Sequence, residues 1–182
     1  MQSFYSLIKY TQGMISSKVV IPPAALCFLA VLLTTVQGRP DGAPSDACET
    51  MDPSHGGSPQ TGPMPYTLQL DSYKINSGGS VHFTIRAQPP NTFAGFMVQA
   101  RNEKGRPVGV FSQNENVKPT ECFGVPGNTA THVNHQPKTE VTMSWSADPG
   151  YGGDVIFHAT VAKSMKEYWV RQRARPLAVV RT

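Results

Sequence analysis

From residue 66 to residue 163 the chain repeatedly alternates apolar and polar side chains, the period of strands with one face buried. Tyr66, Leu68 and Leu70 fall on one side of an extended segment, with Thr67, Gln69 and Asp71 on the other. Asn76-Ser77-Gly78-Gly79 is a turn, after which Val81, Phe83 and Ile85 alternate with His82, Thr84 and Arg86. Gln88-Pro89-Pro90-Asn91 breaks the pattern. Residues 93–101 restart it, with Phe96, Val98 and Ala100 facing one way and Met97, Gln99 and Arg101 the other. Asn102-Glu103-Lys104-Gly105 predicts a polar hairpin turn into residues 107–111. Shorter strands are expected at 118–123 and 128–133. A clearer one spans 140–146, where Val141, Met143 and Trp145 alternate with Thr142, Ser144 and Ser146. Beyond the breaker Asp148-Pro149-Gly150, residues 154–163 turn Val155, Phe157, Ala159 and Val161 inward. Residues 165–175 fit either a strand or a short helix, which Pro176 ends.

Seven to nine short strands separated by turns, with no long helical period and no internal repeat, predict an all-β fold. The class is an immunoglobulin-like antiparallel β-sandwich with Trp145, Phe93 and Phe96 in its core. Composition agrees, since 16 Gly, 16 Pro and only 15% charged residues disfavour a helical bundle.

The N-terminal residues change the picture from fold to destination. Lys9 and Lys18 precede the uncharged run at 24–36 (AALCFLAVLLTTV), and Val36-Gln37-Gly38 offers a small-residue cleavage site. Residues 1–38 therefore read as a cleaved secretory signal, the run being short for a retained membrane anchor. The expectation is a secreted, extracellular protein without stable membrane insertion. Of 182 residues, the remaining 39–182 form one domain, comprising an irregular Pro/Gly/Ser-rich lead-in over 39–65, the strands, and a basic segment over 163–182. Cys27 leaves with the signal, and in an oxidising compartment Cys48 and Cys122 are expected to close a disulfide, two separate buried thiols being the alternative. Six basic residues against one acid follow residue 162, whereas 39–162 hold eight basic and eleven acidic residues. The positive balance belongs to the tail, and export argues against nucleic acid as its partner.

Candidate chemistry is sparse. His132 and His135 are three apart, a spacing that sends side chains to opposite faces of a strand, so no metal site is expected. There is no Gly-x-Ser-x-Gly elbow, no phosphate-cradling loop and no paired acid motif, and both remaining cysteines are expected to be oxidised. Neither enzyme activity nor a cofactor is expected. Asn-x-Ser/Thr acceptors are also missing from the chain.

Several pieces taken together are more specific. Ala47-Cys48, Met51-Asp52-Pro53-Ser54-His55-Gly56, Pro59-Gln60 and Pro65-Tyr66 are followed by Phe93-Ala94-Gly95-Phe96 with Gln99-Ala100-Arg101. Val108-Gly109-Val110-Phe111, Cys122, Ala130-Thr131-His132 and Trp145 complete the set. The combination resembles the reeler (reelin amino-terminal) domain family, and a signal followed by one such domain resembles its small secreted insect defence proteins. The resemblance implies an immunoglobulin-like sandwich, secretion into body fluid, and an innate-immune role through microbial surface material and blood cells. The alternative is an extracellular matrix or adhesion module with a host ligand. For microbial glycans or lipopolysaccharide, arginines would meet anionic groups and aromatic faces would meet sugars or acyl chains. Tyr168, Trp169, Arg171, Arg173 and Arg175 supply both within eight residues, and in an extended segment the three arginines would share one face. The competing reading packs Tyr168 and Trp169 against the sandwich edge and leaves the arginines merely solvated.

Overall fold

The alternating segments pair into two sheets in the computed structural model, which describes residues 42–43, 45–54 and 56–182. The expected signal lies outside the described residues. The strands are β1 (Tyr66–Leu70), β2 (Lys74–Asn76), β3 (Ser80–Ala87), β4 (Gly95–Arg101), β5 (Val110–Phe111), β6 (Val117–Cys122), β7 (Val125–His132), β8 (Glu140–Ser146), β9 (Gly153–Ala162), β10 (Tyr168–Arg173) and β11 (Leu177–Val180). The small sheet runs β1-β3-β8-β5 and the large one β2-β11-β9-β4-β7-β6. Strands β10 and β11 share one edge of β9: Tyr168–Arg173 pair with residues 162–158, and Leu177–Val179 with residues 155–153. All pairings are antiparallel except that of β11 with β2. The fold is the all-β sandwich expected, with eleven described strands in place of seven to nine.

The inward residues of β3, β8 and β9 are those the alternation assigned, and the core is aromatic. Phe157 of the large sheet stacks on Phe83 with ring centres 5.0 Å apart, and meets Trp145 at 5.3 Å and Phe111 at 6.3 Å edge-on. Burying such a side chain is worth roughly 1.5–3 kcal/mol each. A second group runs Trp169, Tyr66, Phe93 and Phe96, with successive ring centres 5.5, 5.5 and 6.4 Å apart. Trp145 and Phe93 are fully buried and Phe96 nearly so.

One local reading changes. The turn after β4 closes with a hydrogen bond from Asn102 N–H to Arg106 O and an Arg101–Pro107 bridge, but no hairpin strand follows. The chain instead crosses to the small sheet, where β5 pairs with β8. Gly109 permits the crossing: at φ 67° its Cα passes so close to the Trp145 ring and the Ser146 carbonyl that a Cβ would overlap both. Of the two alternatives for residues 165–175 the strand holds, as β10, and the basic segment continues into the large sheet as β11.

Candidate functional site

Every residue of β4 is buried, including Met97, Gln99 and Arg101, which alternation alone would leave in water. The cover comes from the lead-in, which lies as a strap over the outer face of the large sheet. Ala43 N–H donates to Thr131 Oγ1 at 2.8 Å. A 3-10 turn over Ser45–Ala47 leads to Cys48, which is bonded to Cys122 at the end of β6 with Cα atoms 5.5 Å apart. Ala47, Cys48, Met51, Met97 and Cys122 form a second apolar cluster there.

Polar side chains of the sheet bond the strap's backbone. Arg101 donates from Nε to Gln99 Oε1 (2.8 Å) and from one terminal nitrogen to the carbonyls of Cys48 (2.9 Å) and Glu49 (3.0 Å). Gln99 Nε2 donates to the Cys48 carbonyl and to Thr129 Oγ1, both at 3.2 Å. Thr160 Oγ1 donates to the Met51 carbonyl at 2.7 Å. Arg101 is thus a buried cation solvated by backbone carbonyls, and burial followed by the nearby Arg171 charge lowers its pKa, with Glu49 opposing.

The same outer row continues on β9 with His158, opposite Gln99 on one side and Arg173 on the other. Its Nδ1 is buried without a hydrogen-bond partner among the described residues. Burial first, then Arg101, Arg171 and Arg173, push its pKa down to about 4, so the ring is neutral at physiological pH. Arg171 and Arg173 are exposed. Ion pairs among the described residues join Asp71 with His82, Arg86 with Glu140 and Lys163 with Glu167, leaving these arginines without a carboxylate at contact distance. The result is a positive region on the outer face beside the strap.

The five residues expected to form a ligand contact separate into three roles. Tyr168 and Trp169 are not an exposed aromatic platform, being 0% and 6% exposed. They hold the strap instead: Tyr168 OH donates to the Gly57 carbonyl (2.6 Å), Trp169 Nε1 to the Gly62 carbonyl (3.1 Å), and the Tyr168 carbonyl accepts from Gln60 N–H (2.8 Å). This is the edge-packing reading. Arg171 and Arg173 flank His158, but a bulge between Trp169 and Gln172 resets the alternation. At the bulge Arg171 adopts φ 51° and its N–H donates to Thr160 Oγ1 at 3.1 Å. Arg175 leaves the group, its guanidinium lying 4.3 Å from the centre of the Tyr73 ring. The expected single row of three arginines is therefore a pair. Of the two candidate histidines, His132 Nδ1 lies 3.2 Å from the backbone nitrogen of Phe96 and His135 is exposed in the following loop. Reading the sequence missed Arg101 and His158; a charged residue ending an otherwise apolar strand was the signal for the first, and nothing local marked the second.

A two-sheet sandwich carrying a disulfide-pinned strap across one face, with cross-linked cysteines, defines a β-module suited to oxidising, extracellular surroundings. The Reeler domain family model matches residues 46–182, and the chain belongs to this family. A Bombyx mori protein named "Putative defense protein" is 34% identical over 167 residues, covering 86% of this chain and 97% of that one. The defense protein l(2)34Fc of Drosophila melanogaster is 33% identical over 159 residues, 85% of this chain and 97% of that one. Among solved structures, the human F-spondin reeler domain superposes with a TM-score of 0.55 at 22% identity over 68% of this chain and 94% of that one, a likeness of fold.

Proposed function

We propose that this is a secreted innate-immune defence protein that binds anionic microbial surface material, such as lipopolysaccharide or acidic glycans, and acts without catalysis, by aggregating microbes or attaching them to blood cells. The reading is carried by similarity along nearly the full length of relatives named as defence proteins. The site that supports it is the Arg171 and Arg173 pair, exposed and lacking contacting carboxylates among the described residues, beside a neutral His158. Two guanidinium groups that contact no carboxylate among the described residues suit phosphate or carboxylate recognition, because each offers a planar fork of donors. The Cys48–Cys122 disulfide supports export.

The test incubates the purified protein with bacteria, fungal glucan and lipopolysaccharide, then repeats the binding with Arg171→Ser/Arg173→Ser. Retention by at least one anionic surface, weakened about tenfold or more by the double substitution and by added salt, is the expected result. Recovery of the unsubstituted protein wholly in the unbound fraction would defeat the reading. Equal affinity before and after substitution would remove the arginine pair from the contact.

A further inference from the structure

We infer that the strap is a site of O-linked glycosylation, with Ser58 and Thr61 as the acceptors. The inference rests on the export part of the proposed function. The segment Gly56-Gly57-Ser58-Pro59-Gln60-Thr61-Gly62-Pro63-Met64-Pro65 contains no regular element, and both hydroxyl residues are exposed. Prolines at 59, 63 and 65 hold such a segment extended and keep it out of helix and sheet, the form of peptide that a transferase groove can read.

The structure separates the anchoring groups from the acceptors. The Gly57 carbonyl, the Gln60 N–H and the Gly62 carbonyl are engaged by Tyr168 and Trp169. Ser58 Oγ and Thr61 Oγ1, lying between these anchors, make no hydrogen bond among the described residues. Several hydroxyls of the sandwich are committed, by contrast: Ser80 pairs with Ser146 at 2.8 Å, Thr84 with Thr142 at 2.9 Å, and Ser164 accepts from the N–H groups of Lys166 and Glu167. The sequence carries no Asn-x-Ser/Thr acceptor, which argues against asparagine-linked glycosylation and leaves hydroxyl groups as the candidate acceptors. The donor would be a nucleoside diphosphate sugar of the secretory pathway. The serine or threonine oxygen forms the glycosidic bond to the anomeric carbon as the bond from that carbon to phosphate breaks, the nucleoside diphosphate departs, and the hydroxyl proton passes to solvent. A sugar here would shield a Gly- and Pro-rich strap from proteases without touching the sandwich core.

The test expresses the full chain in insect cells and collects it from the medium. Intact-mass spectrometry should show N-acetylhexosamine increments, and electron-transfer fragmentation should place them within residues 56–65. Ser58→Ala/Thr61→Ala should lose them with an unchanged circular dichroism spectrum. An unmodified mass in the medium overturns this inference alone, as do increments that persist in the double variant. Retention of the chain inside the cells overturns it together with export.

Discussion

Replacing both Cys48 and Cys122 by alanine tests whether the strap is part of the cooperative fold. The bridge closes a loop with a sequence separation of 74. In the chain-entropy account a loop of that size restricts the unfolded chain by about 4.5 kcal/mol at 25 °C, a large share of the roughly 5–15 kcal/mol that holds a typical domain together. The native strap keeps its other attachments, through Arg101, Gln99, Thr160, Tyr168 and Trp169, so the substitution acts mainly on the unfolded ensemble. Loss of stability near 4–5 kcal/mol in a single transition is therefore expected in guanidinium denaturation. The two tryptophans make the assay diagnostic, since Trp145 reports the core between the sheets and Trp169 the contact with the strap. Within each single-tryptophan variant, fluorescence should change at the same midpoint as far-UV circular dichroism. A loss below about 1 kcal/mol, or a Trp169 signal that changes well before the circular dichroism of the same variant, would refute the reasoning, because the strap would then open independently.

The remaining predictions address local chemistry. His158, held neutral by burial and by Arg101, Arg171 and Arg173, has a folded pKa of about 4 against an ordinary value of 6.5. As pH falls from 6.5 towards 4 the unfolded chain takes up a proton that the folded ring refuses, so stability declines across that window. His158→Gln should flatten this part of a melting-temperature profile, and an identical acid-side slope in both proteins would contradict the assignment. Phe123 and Gly124 are the two central residues of the β6–β7 turn, at φ 57° and 75°, and Phe123 is half exposed. That is a type I′ turn, which prefers Asn-Gly, so Phe123→Asn should stabilise by about 0.5–1 kcal/mol. A lowered denaturation midpoint would show instead that the phenylalanine ring makes contacts worth more than its backbone strain.

How much of this was legible in the sequence depends on how many faces of each strand are covered. In β3, β8 and β9 one face meets the opposite sheet and much of the other meets water, so Val81, Phe83 and Ile85, and Val155, Phe157 and Ala159, could be assigned directly. In β4 the same logic put Gln99 and Arg101 on the solvent side, because the cover over them comes from residues some fifty positions earlier. Strands β2 and β11 escaped notice because three or four residues give too short a period, and their parallel pairing joins opposite ends of the domain. The bulge at Arg171 has no glycine or asparagine to announce it. It decides which arginines stand together, so the composition of the positive site was readable but its arrangement was not.

The position of β11 bears on how the chain is made. Leu177–Val180 is the described partner through which β2 joins the large sheet, and Ser77 N–H also donates to the Val180 carbonyl. A nascent chain emerging from the ribosome must be synthesised through Val180 before Lys74–Asn76 gain their partner. Completion of the large sheet therefore waits until translation has passed nearly all of these residues, and the early strands have to be kept from foreign edges during that interval.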